Sequence, residues 1–226
     1  MSLEESPDPG FVDSEWMLSK LRLQLDEARN ISEKNVAEEI WRAGFECLRC
    51  GECCHGKDNS VVVFPFEIRK IVDLTGESWL EVAEPPLEGE WDLDGNFHTL
   101  EWRLRKNGDR CKYYHKGTCQ IYPARPILCQ TYPFYMDEEG LICSECKGLN
   151  RSADFQKAMS IASIVKKRRL IEIREAIDLV RNYKDFIRGS PSWNGKCVVH
   201  DSEGEHVIEW SSLPGFLKHH LDSLEG

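Results

Sequence analysis

The stretch "CLRCGECC", Cys47–Cys54, places four cysteines in eight residues and ends on two adjacent ones. Two residues between thiols let a chain fold back so that both sulfurs reach one centre. A glycine such as Gly51 relieves the crowding of that turn. Adjacent side chains in an extended segment point to opposite sides, so Cys53 and Cys54 read as having different jobs. Either they serve two centres, or one is a ligand and the other is free or packed.

Further along, "CKYYHKGTCQIYPARPILCQTYPFYMDEEGLICSEC" supplies Cys111, Cys119, Cys129, Cys143 and Cys146. That makes nine thiols within about one hundred residues, in loops beside turn residues. Thiolates are soft ligands suited to zinc, iron–sulfur clusters or Cu(I). Cys47-x2-Cys50-x2-Cys53 matches the first three ligands of the bacterial ferredoxin run, although the fourth cysteine followed by proline is missing. Zinc sites show two separated C-x2-C pairs, and Cys143-x2-Cys146 offers a second pair. The metal is therefore an iron–sulfur cluster or Zn²⁺, in one or two centres, with iron–sulfur slightly ahead.

The rest of the chain limits the alternatives. The 226 residues carry 29 Lys+Arg against 39 Asp+Glu, a formal net charge of −10, which argues against nucleic acid as a partner. No run of about 18 apolar residues is present, so no membrane span is expected. The opening "MSLEESPDPG" has no basic or apolar leader region. The expected location is cytoplasmic, where clustered cysteines hold metal rather than form disulfides. A protein partner is compatible with the sequence.

Periodicity outlines the flanks. "SEWMLSKLRLQLDEARN" puts Leu18, Leu21, Leu25 and Ala28 on one helical face, and "SEKNVAEEIWRAG" predicts a second helix stopped by Gly44. "VVVFP" reads as a short strand. "PFEIRKIVDLTG" reads as a helix with Pro65 in its first turn and Gly76 at its end, and "SWLEVAE" as a short helix. "DGNFHTLEWRLRK" reads as a turn and one strand in which Phe97, Thr99 and Glu101 alternate with His98, Leu100 and Trp102. "DEEG" marks a hairpin tip. A long helix is expected from a Ser152 cap to a stop at Gly189 and Pro191, with Phe155, Met159, Ala162, Ile173, Ile177, Val180 and Ile187 on its stripe. The tail offers a hairpin, "CVVHDSEGEHVIEW", and a short helix, "LPGFLKHHLDSL". The expected fold class is α+β: a loop-rich, metal-organised cysteine domain with short strands, packed against N- and C-terminal helices. Its organisation is 1–44 helical, 45–150 cysteine domain, and 151–226 long helix with hairpin and short helix.

The order C-x2-C-G-x-C-C, then C-x7-C-x-I-Y-x-x-R-P-x-x-C-x-x-Y-P-F, then C-x-G-L resembles the YkgJ-type cysteine-cluster proteins over roughly Phe45 to Asn150. The resemblance implies a zinc- or iron-chelating domain. It carries over eight ligands: Cys47, Cys50, Cys53, Cys54, Cys111, Cys119, Cys129 and Cys146. Cys143 and Cys197 are extras. The chain has Gln130 where that family usually has Arg, and Cys-Lys-Gly where it often has C-P-G. The family is similar to flagellin lysine N-methylases, which makes a protein methyltransferase an alternative by analogy, although no glycine-rich fingerprint for S-adenosylmethionine is present. A purely structural, zinc-stabilised interaction module is the third reading.

An anionic thiolate centre favours nearby cations. Arg125, flanked by prolines, is the candidate cofactor-contacting cation, with Arg49 inside the first motif. The other reading of Arg125 is a surface salt bridge. Tyr122, Tyr132, Pro133 and Phe134 are expected to shield the site. His55 and His115 could each replace a thiolate, and Cys197 with His200 and His206 could form a separate site. "KKRR", Lys166–Arg169, reads as a solvated face. No catalytic residue can be named.

Overall fold

The computed structural model describes residues 14–56, 60–190, 195–213 and 215. The expected helix over 213–224, with its paired histidines, lies almost wholly outside them, as does Pro191. The class is α+β, with helices joined to several small sheets.

Three helices form one side. α1 (Ser14–Arg29) and α2 (Glu33–Ala43) both pack on α6 (Phe155–Asn182). α2 starts where the Ser32 hydroxyl accepts the Asn35 N–H. It ends where Gly44 takes φ +64°, and a Cβ there would stand 2.4 Å from the Arg151 carbonyl. α6 buries Ala158, Ala162, Val165, Ile173 and Ile177, a stripe at helical spacing. Val36, Ala37 and Ile40 of α2 meet its first half around Phe134, and Leu18 and Ala28 of α1 meet its second half. Each large aliphatic residue buried this way contributes roughly 1.5–3 kcal/mol.

The long helix is shorter than its periodicity suggests. Asp154, not Ser152, caps it by accepting the Gln156 N–H at 2.7 Å, and it stops at Asn182. The reason lies downstream. Leu93 N–H donates to Ile187 O and Gly189 N–H to Trp91 O, so the backbone beyond Tyr183 finds partners along a strand edge instead of in another helical turn. Ile187, expected on the buried stripe, is 72% exposed.

The other side is built from short strands. β1 (Val62–Val63), β5 (Trp102–Leu104) and β2 (Ala83–Glu84) form one antiparallel sheet in that order. β13 (Gly204–Glu209), β12 (Lys196–Asp201), β4 (Phe97–Leu100) and β3 (Glu90–Trp91) form a second, in which β12 runs parallel to β4. The single strand expected over 97–102 is two strands. Glu101 adopts φ +61°, and the buried parity flips across it, from Phe97 and Thr99 to Trp102 and Leu104. The flip lets consecutive strands enter different sheets while both keep apolar residues in one core. That core holds Val63, Ile68, Ile71, Phe97, Trp102, Cys197 and Val199. α3 (Pro65–Thr75) and α4 (Trp79–Val82) cover it.

Three small hairpins and one short helix complete the middle. These are β6–β7 (Lys106–Asn107, Arg110–Cys111), β8–β9 (Tyr114–His115, Thr118–Cys119), β10–β11 (Phe134–Met136, Leu141–Cys143) and α5 (Ile127–Thr131). The last hairpin turns at the expected "DEEG", where the Asp137 carboxylate accepts the N–H groups of Glu139 and Gly140.

Candidate metal centre

The cysteine loop spans the gap between the two sides. It leaves the helical core at Phe45, whose ring meets Phe134 edge-on at 5.3 Å. It arrives at the small hairpins through a bridge of His55 to Arg110. Between residues 46 and 53 only Gly51 is buried, so packing does not shape this loop. Backbone bonds do.

Two anchors place the cysteines. At the first, Glu46 N–H donates to Gly148 O, Asn150 N–H to Ala43 O and Arg151 N–H to Gly44 O. This ties Cys47 to the segment that carries Cys146. Gly148 allows the approach, since a Cβ there would stand 2.4 Å from Glu46 O, and its N–H donates to Cys146 Sγ at 3.4 Å. At the second anchor, Gly51 takes φ +77° against the Tyr114 ring, and a Cβ would fall 2.0 Å from the phenol oxygen. That tyrosine hydroxyl donates to Cys50 O at 3.3 Å. The contact sets the turn Glu52–Cys54 against β8–β9, which carries Cys119.

Cys111 closes β7 opposite Lys106, and Cys119 closes β9 opposite Tyr114. Cys129 rides on α5. The sequence gives no hint of what holds α5. Glu67, in the first turn of α3, is buried. One of its carboxylate oxygens accepts the Phe64 N–H at 3.2 Å, and the other accepts the Ile127 N–H at 2.6 Å. One side chain thus caps two helix starts. Burial pushes its carboxyl up. From α6, Arg168 donates to Thr131 Oγ1 at 2.9 Å, and Lys166 donates to Ile31 O at 2.8 Å. Half of the basic run expected to be solvated is therefore structural.

The thiols influence one another in two neighbourhoods. Cys54 donates its proton toward Cys53, which lowers Cys53 to about 7 and raises Cys54. Burial, with the charges of Cys111, Cys53 and Cys119, raises Cys129. Burial also raises Cys111 and Cys119, and Arg125 works against that rise at Cys119. Cys146 is raised by burial and then by Cys50, Cys47 and Cys53. Cys143 is exposed, and Cys146 is the one thiol whose charge acts on it. All ten cysteines are free thiols. Among the described residues, no three His, Cys, Asp or Glu side chains stand close enough to hold one ion. What fits a metal is the donor chemistry: soft thiols collected by five separate elements, whose mutual repulsion a cation relieves.

The other candidates divide. Arg125 lies 3.7 Å from the Tyr122 ring centre and Arg49 lies 5.6 Å from it, so the tyrosine carries two guanidinium groups. Tyr122 is 48% exposed and does not shield. Phe134 is core, and the Tyr132 hydroxyl donates to Glu145 O. His55 engages Gly51 O through Nδ1 at 2.6 Å and packs edge-on to Tyr114. His115 is exposed at its hairpin. The separate tail site does not assemble: Cys197 and Val199 face the core, while His200 lies on the opposite face of β12.

Residues 46–147 match the family model CxxCxxCC, described as "Putative zinc- or iron-chelating domain". The matched segment is similar to that family over 102 of the chain's 226 residues. No solved structure matches the chain. Among the described residues, no helix is long and apolar enough to cross a membrane.

Proposed function

We propose that this CxxCxxCC protein binds metal through Cys47, Cys50, Cys53, Cys54, Cys111, Cys119, Cys129 and Cys146, as an iron–sulfur or zinc protein that serves a partner enzyme or transfers electrons. What supports the reading is that cysteines from the loop, two hairpins, α5 and the segment after β11 act on one another's thiols. Cys53 acts on both neighbourhoods, so it stands between Cys146 on one side and Cys111, Cys119 and Cys129 on the other. Arg125 and Arg49 would offset the negative charge of the filled centres.

The test is purification without oxygen, followed by metal, acid-labile sulfide and visible spectra on the same sample. Iron with matching sulfide and a colour bleached by dithionite supports the redox version, and zinc alone supports the chelating version. No metal in stoichiometric amount would overturn both. Cys53→Ser and Cys54→Ser then separate one centre from two. With two centres each variant keeps the metal of the other centre, and with one centre both variants lose the metal whole.

A further inference from the structure

A cavity lies away from the cysteines. It has a volume of about 550 Å³, within the range of small-molecule sites. Its wall combines His98 and Thr99 of β4, His200 of β12, and Tyr183 and Phe186 from the segment after α6.

A line of three side chains ends in this wall. Asp92 accepts from the Asn96 backbone N–H at 2.7 Å and side-chain amide at 2.8 Å, and its Oδ2 lies 3.0 Å from His98 Nε2. Burial alone would raise the Asp92 carboxyl, but these hydrogen bonds hold it below its ordinary value, so it is a carboxylate and accepts a hydrogen bond from His98 Nε2–H. The Nε2–H tautomer of His98 presents a bare Nδ1. His200 Nε2 stands 2.8 Å from that nitrogen and must supply the proton between them. The tautomer of His200 is thereby fixed, and its Nδ1 carries a lone pair. His200 is 1% exposed, and that Nδ1 has no hydrogen-bond partner among the described residues. A buried acceptor left unmet is rare and calls for a donor. Phe186 stacks on His98 at 3.8 Å and Tyr183 tilts against His200 at 4.8 Å, so the rings hold the imidazoles in place.

The remaining lining states the charge of that donor. Glu88, Glu90 and Glu101 face one cation, Arg103, which sits 3.9 Å from Glu101; a second, Arg188, pairs with Glu90 from outside the lining at 2.8 Å. Glu101 also adopts the left-handed φ of +61°, and its N–H donates to His200 O at 2.8 Å. A strained non-glycine residue of this kind persists where surrounding structure fixes it, and such residues cluster at ligand sites. We propose that the cavity binds a small protonated amine, whose N–H meets His200 Nδ1 and whose charge is balanced by the glutamates. The Asp92–His98 pair is a positioning device that keeps the accepting nitrogen bare. Rejection of anions follows from the same lining.

The test uses the full chain with ¹⁵N-labelled histidine at pH 8, titrated with n-butylammonium, n-butanol and butyrate. Butylammonium should move the His200 Nδ1 resonance saturably, with a Kd of roughly 1 mM for so small a probe. Butanol should bind at least about tenfold more weakly, and butyrate not at all. In His200→Phe the remaining His98 resonances should show no saturable shift. Should that variant fail to fold, Glu88→Gln at the rim should weaken binding several-fold without touching the relay. Absence of a saturable shift to roughly 10 mM, or tighter binding of butyrate than of butylammonium, would overturn the proposal.

Discussion

Glu67→Ala tests how the Cys129 helix is held. The carboxylate satisfies two backbone N–H groups, at Phe64 and Ile127, and no other described residue takes either bond. An unmet buried donor costs about 1–3 kcal/mol. Local relaxation of the two helix starts would recover part of this cost, so the lower half of the doubled range applies, about 3 kcal/mol. Urea unfolding at matched metal content, with a slope of about 3 kcal/mol/M for a chain of this size, should show a midpoint lowered by about 1 M. Glu67→Gln keeps one accepting oxygen, so it should lose about half as much. A second readout is specific to the site. Cys129 should react faster with a thiol reagent in Glu67→Ala, because α5 loses its only described tie to α3 through this carboxylate. An unfolding free energy within about 0.5 kcal/mol of the parent protein, with Cys129 reactivity unchanged, would refute the double-cap reasoning.

Other outcomes follow from the same contacts. Burial pushes Glu84 up to about 7, and Arg105 at 3.9 Å offsets this only in part. A carboxyl raised in the folded state favours folding fully below its ordinary value and loses that contribution as pH rises to about 7. Glu84→Gln should therefore gain on the parent protein between those limits, by roughly 2 kcal/mol once partial exposure is discounted, and stay level above, as read by unfolding at several pH values. Gly51→Ala must place a methyl on the Tyr114 ring in a left-handed conformation. It should cost more than about 1 kcal/mol and lower the metal bound per chain. Tyr114→Phe in that background should recover little, because the backbone strain stays. Cys197 is buried in the core with its thiol raised to about 12. Cys197→Ser should destabilise by about 1–3 kcal/mol with metal content intact, whereas Cys129→Ser should lower metal content.

Local chemistry was legible in the chain, and long-range pairing was not. Gly44 and Gly76 end helices as expected, because a left-handed stop is a property of one residue and its neighbours. The stripes of α1 and α6 were readable because burial follows helical period. The β12–β4 pairing was not readable, since it joins residues 197–200 to 97–100 in parallel and no local pattern marks a partner a hundred positions away. The break at Glu101 was hidden because either parity of "FHTLEWRL" looks like a strand. The end of α6 depended on 91–93 offering a strand edge. At the site, the cysteines announced themselves by spacing, but the residues that place them did not. Glu67 looks like an ordinary acidic residue in a first helical turn, and Asp92, His98 and His200 are scattered polar positions until the sheet aligns them. A polar residue inside an apolar stretch, such as His200 in "CVVHD", was the one available signal.

The placement of the cysteine loop bears on why metal would matter to this protein. A purely structural metal replaces a core that the chain cannot build. Here both cores are built from aliphatic and aromatic residues: Phe97, Trp102, Ile68 and Ile71 on the sheet side, and Phe134, Ile40 and Val165 on the helical side. Cys111 and Cys119 only fringe the first, and Cys47, Cys50 and Cys53 are exposed. The segment from 46 to 53 is tied at one end to the helical side through Gly148 and at the other to the hairpins through Tyr114. Metal held between these anchors would fix the two sides relative to each other while each keeps its own core. The exposed sulfurs would also leave such a centre close to the surface beside Arg49, Tyr122 and Arg125. That position suits exchange with a partner better than it suits an internal brace, because a brace gains most where water is excluded.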